Sequence, residues 1–458
     1  MTLDSGTMAA ETRELCRYIA SALSSEVPPE VAEKAKHHIL DTLAAMVSGS
    51  RLPPGRLAIA YARAQGGREE ALVVGSDVVT TAVNAALAGG MLAHADETDD
   101  SHAPSLTHPG CGVVPAAFAM AEREERGGEA LLRAVALGYD VGTRVTMALG
   151  INELMGPVLF SSHTFGSLWG AAAAAGALAG FDADRVKHLL SYTVQQTSGI
   201  TTWAQDGEHV EKAFDFGGMP ARNGVAAATM VAAGFTGVSD AVTGERGFLA
   251  AFSRNPRPSV LVADLGKEFA VMQTNIKRWP VGSPAQAAVD AVLELMAAHG
   301  VAAQDVEELL IRLPEDGART VDDREMPDIN VQYLVAVTLL DGRLTFAASH
   351  DYQRMGTPPV VALRERIRLV GDPELTGTKP DRQGIVEIRT RAGERLSHRI
   401  YAVRGTADNP MERLEVEEKA LDLLGLVLGD DRAQALATRI WELEGLGDVR
   451  DLRPLLRA

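Results

Sequence analysis

Apolar residues recur with a helical period through the first half of the chain. Residues 9–24 read as a helix, and Pro28-Pro29 opens another that carries Ile39, Leu43 and Met46 on one stripe and ends at Gly49. His37 and His38 fall inside that helix, where an imidazole is by default a satisfied or solvated side chain. The same period predicts helices at 55–65, 81–93, 113–126 and 128–148. The segment Gly166 to Gly180, with Ala171 to Ala175 at its centre, predicts a core helix whose small side chains let neighbours approach closely. Helices at 184–199 and 220–234 follow, with almost no period-two pattern before about residue 265.

The texture then changes. Glu268 to Ile276 alternates, with Lys277 closing it, and Val306 to Leu313 reads as a strand between a helix at 284–299 and a turn at Pro314 to Gly317. Ile385 to Thr390 and Leu396 to Val403 flank Arg391-Ala392-Gly393-Glu394, a hairpin pattern. Loops are expected at Arg319 to Pro327 and Gly356 to Pro359, and helical patterning returns at 411–428 and 431–444. The expected fold class is mainly α with a smaller α+β domain. Its expected division is an all-helical domain over 1–266, an α+β domain over 267–403, and C-terminal helices over 404–458 that return to the helical domain.

Composition narrows the class. The 458 residues are 46% hydrophobic and 23% charged, in keeping with a globular chain of more than one domain. A formal net charge of −17 argues against nucleic acid, since no basic stripe is available to displace phosphate counterions. Cys16 and Cys111 make no disulfide framework and no zinc pattern. Met1 to Arg13 lacks the apolar core of a signal peptide, and the apolar run Leu168 to Phe181 is too short to span a bilayer. A cytoplasmic protein with no membrane partner is expected.

Chemistry concentrates between His94 and His108, a stretch holding Asp96, Glu97, Asp99, Asp100, Ser101 and His102 as well. Pro104, Pro109 and Gly110 keep it from being one continuous helix. Polar groups at that density are costly to bury unless each finds a partner, and acid–base chemistry has a use for them. The competing reading is a solvated acidic turn with capping residues. Basic groups elsewhere suit an anion: Lys212 beside Gly217-Gly218, and Lys277-Arg278 ahead of a predicted helix start. His163, just before the Ala-rich helix, is a candidate acid, base or cap. Tyr333 is by default a core residue with its hydroxyl satisfied. The Asp and His residues of the acidic stretch could ligate a metal, yet they match no recognised spacing, so the chemistry assembled from them needs no cofactor.

Taken together these residues resemble the MmgE/PrpD family. The resemblance is carried by Ile39-Leu40-Asp41-Thr42-Leu43, the His94 to Gly110 stretch, Gly166 to Ala174, Arg222-Asn223-Gly224, Gly244-Glu245-Arg246-Gly247-Phe248, Lys277-Arg278-Trp279-Pro280, and Gln332-Tyr333 with Leu339-Leu340-Asp341-Gly342. It implies a helical domain built from both chain ends with an inserted α+β lid domain, an active site between them, a homodimer, and no metal or organic cofactor. It also implies a lyase acting on a small di- or tricarboxylate. A 2-methylcitrate dehydratase-like activity leads; epimerisation, decarboxylation and a non-catalytic carboxylate-binding role are the alternatives. The implied catalytic residues are Asp99, Asp100, His108, His163 and Lys277. The implied substrate-binding residues are Glu97, Ser101, His102, Lys212, Arg278 and Tyr333. The sequence departs from the family pattern at Gly282 and Gln286, where Cys or His is usual, at Glu97, where many members carry Asp, and at Ser161, which a gap-free count places where the family has the histidine found here at 163.

Overall fold

The computed structural model describes residues 8–151 and 159–458. The expected domain over 1–266 includes 1–7 and 152–158, which lie outside the described residues. The fold is mainly helical with a small mixed sheet. Its contacts divide it into one unit of residues 1–95, 99–274 and 416–458 and a second of 96–98 and 275–415.

The first unit is organised by helices Pro29–Gly49, Ala82–Ala93, Pro109–Arg123, Gly128–Ala148, Ser162–Leu178 and Met219–Ala232. Small residues set how closely they pack. A methyl group at Gly142 would collide with the Gly166 carbonyl, and one at Gly170 with the Gly138 carbonyl, so helices Gly128–Ala148 and Ser162–Leu178 meet backbone to backbone. Ala171 to Ala175 are all fully buried, as the Ala-rich pattern predicts. The C-terminal helices are tied into this unit by buried charge: Lys419 reaches Asp41 at 2.6 Å and Arg453 reaches Glu122 at 2.7 Å. One short ladder interrupts the helical reading of this stretch, β1 (Ala71–Leu72) paired antiparallel with β2 (Val79–Thr80). Two residues per strand are too few to leave an alternating pattern in the sequence.

The second unit holds a sheet of β3 (Val306–Leu313), β4 (Ile367–Gly371), β5 (Gly384–Thr390) and β6 (Arg395–Ile400), in the spatial order β4-β3-β5-β6. The β3–β4 pair is parallel, while β3–β5 and β5–β6 are antiparallel. Val306 and Leu309 are both buried despite the two residues between them, because a register shift falls between Val306 and Glu308. Beyond it Leu309, Ile311 and Leu313 alternate inward. Helices Gln286–His299 and Val331–Asp341 supply Val289, Val292, Leu334 and Val335 to the same core.

Three expectations fail here, the first being the turn at Pro314 to Gly317, which is the start of helix Glu315–Val321. Glu268 to Ile276 is no strand: it contains a 3-10 turn, Ala270–Gln273, so Lys277 follows irregular backbone. The apolar positions that suggested alternation, Phe269, Val271 and Ile276, are buried all the same. The loop expected from Arg319 overlaps helix Glu315–Val321, and β4, with only Ile367 buried, was too weakly patterned to be read.

Candidate active site

In the first unit three helix ends and one distorted turn deliver imidazoles and an aromatic ring to a single cluster. His94 is the C-cap of Ala82–Ala93, His108 the N-cap of Pro109–Arg123, and His163 lies in the first turn of Ser162–Leu178. Phe216 lies on a π-helical turn, Phe214–Gly218, inserted ahead of Met219–Ala232. Such insertions recur at functional sites because they turn a side chain that a regular helix could not aim. Here the glycines make it possible. A methyl at Gly217 would strike the Gly90 carbonyl, so the turn lies directly against the helix that ends in His94. On its other side Asp215 accepts a hydrogen bond from Ser161 Oγ at 2.5 Å, and its carbonyl accepts one from Thr164 Oγ1 at 2.8 Å, which locks the turn to the start of the Ala-rich helix.

The outcome is that His94 and His163 both stack on Phe216, with ring centroids 4.4 and 4.0 Å away. His108 lies 5.4 Å from His94 and 5.2 Å from His163, and Trp203 meets Phe216 edge-on at 4.7 Å. Lys212 holds its ammonium 5.2 Å from the Phe216 ring and 5.4 Å from Trp203.

Asp99 is the anionic partner of this cluster. Fully buried, it accepts from His94 Nδ1 at 2.9 Å and from His108 Nδ1 at 3.2 Å. Each imidazole that donates from Nδ1 keeps its Nε2 as the exchangeable site. Two further buried nitrogens, His94 Nε2 and His163 Nδ1, have no hydrogen-bond partner among the described residues. His163 is held well below the usual imidazole range, first by burial and then by the charges of His108 and Lys212. It is therefore a neutral ring beside a carboxylate-bound one. The His108 carbonyl is fixed in turn by the Ser167 hydroxyl at 3.0 Å and the Cys111 thiol at 3.1 Å.

The neighbouring residues serve other ends. Asp100 accepts from His38 Nδ1 at 2.7 Å, Tyr139 Oη at 2.5 Å and the Gly110 amide at 2.9 Å, a separate, fully buried network. A side chain at 110 would occupy the space of that carboxylate, which accounts for the glycine. His102 caps the 3-10 turn Ala103–Ser105 and bonds Ser105 Oγ at 2.7 Å; burial pushes it down to about 4. Ser101 is buried beside it.

In the second unit Lys277 and Glu97 come together. The Lys277 ammonium donates to the Glu97 carbonyl at 2.6 Å and lies 3.6 Å from its carboxylate. Arg278 turns aside, over the Trp279 ring at 4.8 Å and 3.7 Å from Asp290. Tyr333 belongs to the core: its hydroxyl donates to the carbonyls of Ala348 at 2.6 Å and Asp351 at 3.2 Å, and burial pushes it up to about 12. This is the default reading of Tyr333 from its own sequence context. Gln286 is structural as well, since its amide brackets the corner after Lys277 through Trp279 N, Trp279 O and Val281 O.

Among the described residues, His94, Asp99 and Cys111 bring possible metal-ligand atoms within 4.8 Å of one another. Burial, with the charges of Asp99 and Asp100, raises the Cys111 thiol well above its ordinary value, and it donates to backbone carbonyls. A protonated thiol and a carboxylate already shared by two imidazoles are poorly disposed to ligate an ion.

His209, Trp203 and Phe216 were not singled out from the sequence, and His94 was read only as the start of the acidic stretch. His209, buried in a left-handed conformation, lies 5.1 Å from His94 across more than a hundred residues of chain. The Gly89-Gly90 and Gly217-Gly218 pairs were the available sign that two backbones meet at this point. Among the described residues, no helix is long and apolar enough to cross a membrane.

The chain is similar to known proteins over most of its length. The chain is 24% identical to a cis-aconitate decarboxylase-like protein, oryM, of Aspergillus oryzae over 97% of both chains. It is 24% identical to a cis-aconitate decarboxylase of Aspergillus terreus over 99% of this chain and 97% of that one. A 2-methylcitrate dehydratase of Cupriavidus necator is 39% identical over 21% of this chain and 22% of its own. Residues 13–261 match the MmgE/PrpD N-terminal domain and residues 279–443 the MmgE/PrpD C-terminal domain. The chain therefore belongs to the MmgE/PrpD family.

Proposed function

We propose that the protein is a lyase acting on a small tricarboxylate by proton transfer at a carbon next to a carboxylate, with dehydration of a 2-methylcitrate-like hydroxy acid as its reaction. The observation that carries this reading is the Asp99 carboxylate held between His94 and His108. A carboxylate that accepts the Nδ1 proton fixes the tautomer, so that His108 Nε2 takes the proton from carbon. The hydroxyl leaves from the adjacent carbon as water once an acid protonates it, and an alkene remains. Protonated His108 then delivers that proton to the leaving hydroxyl, directly or by way of neutral His163, whose ring lies 5.2 Å away, so both imidazoles end as they began. Lys212 and Lys277 bind substrate carboxylates and stabilise the enolate-like charge. Asp100 acts by holding the loop, and Glu97 by holding Lys277. Ser101, His102, Arg278 and Tyr333 keep the substrate-binding roles that family resemblance gives them only as far as their present bonds allow.

A second reading, decarboxylation of a cis-aconitate-like acid, is favoured by the near full-length likeness to proteins named for that activity. The domain division proposed from sequence, 1–266 with 404–458 and 267–403, is supported by the separation of contacts into two units. A cytoplasmic homodimer that needs no cofactor completes the proposal.

The test is direct. The full chain is incubated with 2-methylcitrate and, separately, with cis-aconitate. A rise in the ultraviolet absorbance of a conjugated alkene marks dehydration, and carbon dioxide release marks decarboxylation. A folded protein that changes neither acid would remove the reading.

A further inference from the structure

Helix Phe346–Ser349 is capped by a histidine, His350. The His350 side chain keeps only 11% of its surface exposed, and its ring stacks on Phe346 at 4.1 Å. Its Nδ1 lies 3.0 Å from the Phe346 carbonyl and 3.0 Å from Ser349 Oγ. Its Nε2 faces two acids of the same unit, Asp96 at 2.8 Å and Asp328 at 3.9 Å. Both carboxylates are almost wholly buried. Two buried acids without a cation between them would repel each other in a medium that screens poorly.

Each acid is joined to the Lys277 corner. Asp96 accepts from the Thr98 amide at 2.9 Å and the Thr98 hydroxyl at 2.7 Å, which closes a tight turn with Glu97 at its centre. The carbonyl of that same Glu97 receives the Lys277 ammonium. On the other side the Asp328 carbonyl accepts from the Gly282 amide at 2.9 Å, and Ser349 Oγ reaches the Pro280 carbonyl at 3.5 Å. Segment 277–282 is thus held at its lysine by the Asp96 turn and at its far end by Asp328. One imidazole faces both.

We propose that His350 is a positioning residue: paired with Asp96 and Asp328, it fixes the turn that carries Glu97 and thereby sets the Lys277 ammonium for a substrate carboxylate. Burial opposes charge on this ring, yet the Asp96 hydrogen bond and the two acids outweigh it and raise His350 to about 9, so the pairing is ionic at neutral pH. The substrate part of the proposal rests on the lyase reading above. The positioning part does not.

Two measurements on the full chain separate them. The first is steady-state kinetics of wild type, His350→Gln, Asp96→Asn and the double variant, on whichever of 2-methylcitrate and cis-aconitate the wild type converts. KM rises about tenfold in each single variant while kcat stays within about threefold, and the double variant is little worse than either single one. A KM within about twofold of wild type in His350→Gln, or additive effects in the double variant, overturns the proposal. The second needs no turnover. Lys277 is acetylated competitively with acetic anhydride and read by peptide mass spectrometry, with exposed Lys379 as internal reference. The Lys277 to Lys379 ratio rises at least about fivefold in His350→Gln, because the turn covering the ammonium opens more often. An unchanged ratio overturns the positioning role even if wild type converts neither acid, an outcome that would count against the lyase reading alone.

Discussion

Asp99 and Asp100 are adjacent in the chain and fully buried, and their carboxylates answer different histidines. Asp99 accepts from His94 and His108, and Asp100 from His38. Near Asp99, His94 Nε2 and His163 Nδ1 are buried with no hydrogen-bond partner among the described residues, whereas Asp100 is closed off by Tyr139 and the Gly110 amide. The same residue type thus divides into a carboxylate shared by two imidazoles of the cluster and one enclosed by donors of its own.

The two carboxamide variants should therefore separate. Asp99→Asn keeps the shape but offers an amide where two Nδ1 protons require acceptors, so the tautomer of His108 is no longer fixed. Turnover should fall about a hundredfold or more, with a change in melting temperature of a few degrees at most. Asp100→Asn leaves the donors of His38, Tyr139 and Gly110 with one good acceptor oxygen among them. A buried donor left unpaired costs about 1–3 kcal/mol, so this variant should melt several degrees lower. Kinetics and calorimetry on the pair decide it, and the assignment of roles fails if Asp99→Asn is the less stable protein with near-normal turnover.

Phe216 offers a second test. Its ring stacks with both His94 and His163 and lies 5.2 Å from the Lys212 ammonium. Phe216→Leu keeps apolar volume but removes the flat surface on which both imidazoles rest. Loss of stacking should cost about 0.5–1.5 kcal/mol of stability per ring pair. Wetter surroundings would relieve the burial that keeps His163 neutral, so its pKa should rise. Histidine C2 hydrogen exchange followed by mass spectrometry reads that value directly, and an unchanged His163 would show that the stacking does not set its state.

The long helices were legible because a buried stripe must repeat with the helix period, and Gly128–Ala148 coincides with the predicted 128–148. The hairpin of β5 and β6 was legible because each strand alternates and a glycine turn lies between them. The acidic stretch announced itself by density. What it could not announce was the partition of its members, because whether an aspartate meets His38 or His108 depends on residues up to 62 positions away. Phe216, Trp203 and His350 carry no local sequence pattern that sets them apart. Their importance comes from where the π-helical turn and the Asp96 turn place them, and no periodicity encodes that placement. Tyr333 shows the converse: family resemblance suggested a substrate contact, while the hydroxyl is committed to two carbonyls.

The Asp96–His350 pair predicts a pH signature in stability. His350 is raised from 6.5 to about 9, so its contribution is fully present below about pH 6.5 and is lost as pH rises through about 9. Asp96 is lowered: burial alone would raise it, but the bonds from His350 and Thr98 win. Its contribution is present above the ordinary carboxylate range and is lost as pH falls below it. Asp328 is raised by burial to about 6, so its ionisation costs stability above that pH. Near pH 6, His350→Gln should unfold more easily than wild type by an amount on the order of 3 kcal/mol, and the gap should narrow to about half of that by about pH 8. The gap should close above about pH 9 as the wild-type imidazole loses its proton. Denaturant titrations of both proteins across that range check it, and a gap that stays constant would show that the ring contributes by packing alone.

Lys277 separates binding from chemistry most sharply. Its ammonium is almost wholly buried and donates to the Glu97 carbonyl at 2.6 Å, with the Glu97 carboxylate 3.6 Å away. Lys277→Met preserves much of the length and apolar volume of the side chain but removes the charge. In the lyase reading a substrate carboxylate then loses a charge-assisted hydrogen bond worth roughly 1.5–3 kcal/mol, so affinity should fall at least about tenfold. If the lysine also stabilises the enolate-like charge, kcat falls as well, because that interaction strengthens only as charge develops. His108→Gln should show the opposite balance, with binding nearly kept and turnover cut about a hundredfold. Thermal unfolding guards the interpretation. Removing Lys277 leaves the Glu97 carboxylate without its close cation, so a loss of a few degrees is expected and a collapse is not. Isothermal titration with the substrate that wild type converts, alongside steady-state kinetics, resolves the two contributions. Unchanged affinity in Lys277→Met would assign the ammonium to the Glu97 turn alone and leave the substrate carboxylate to be held by other cations.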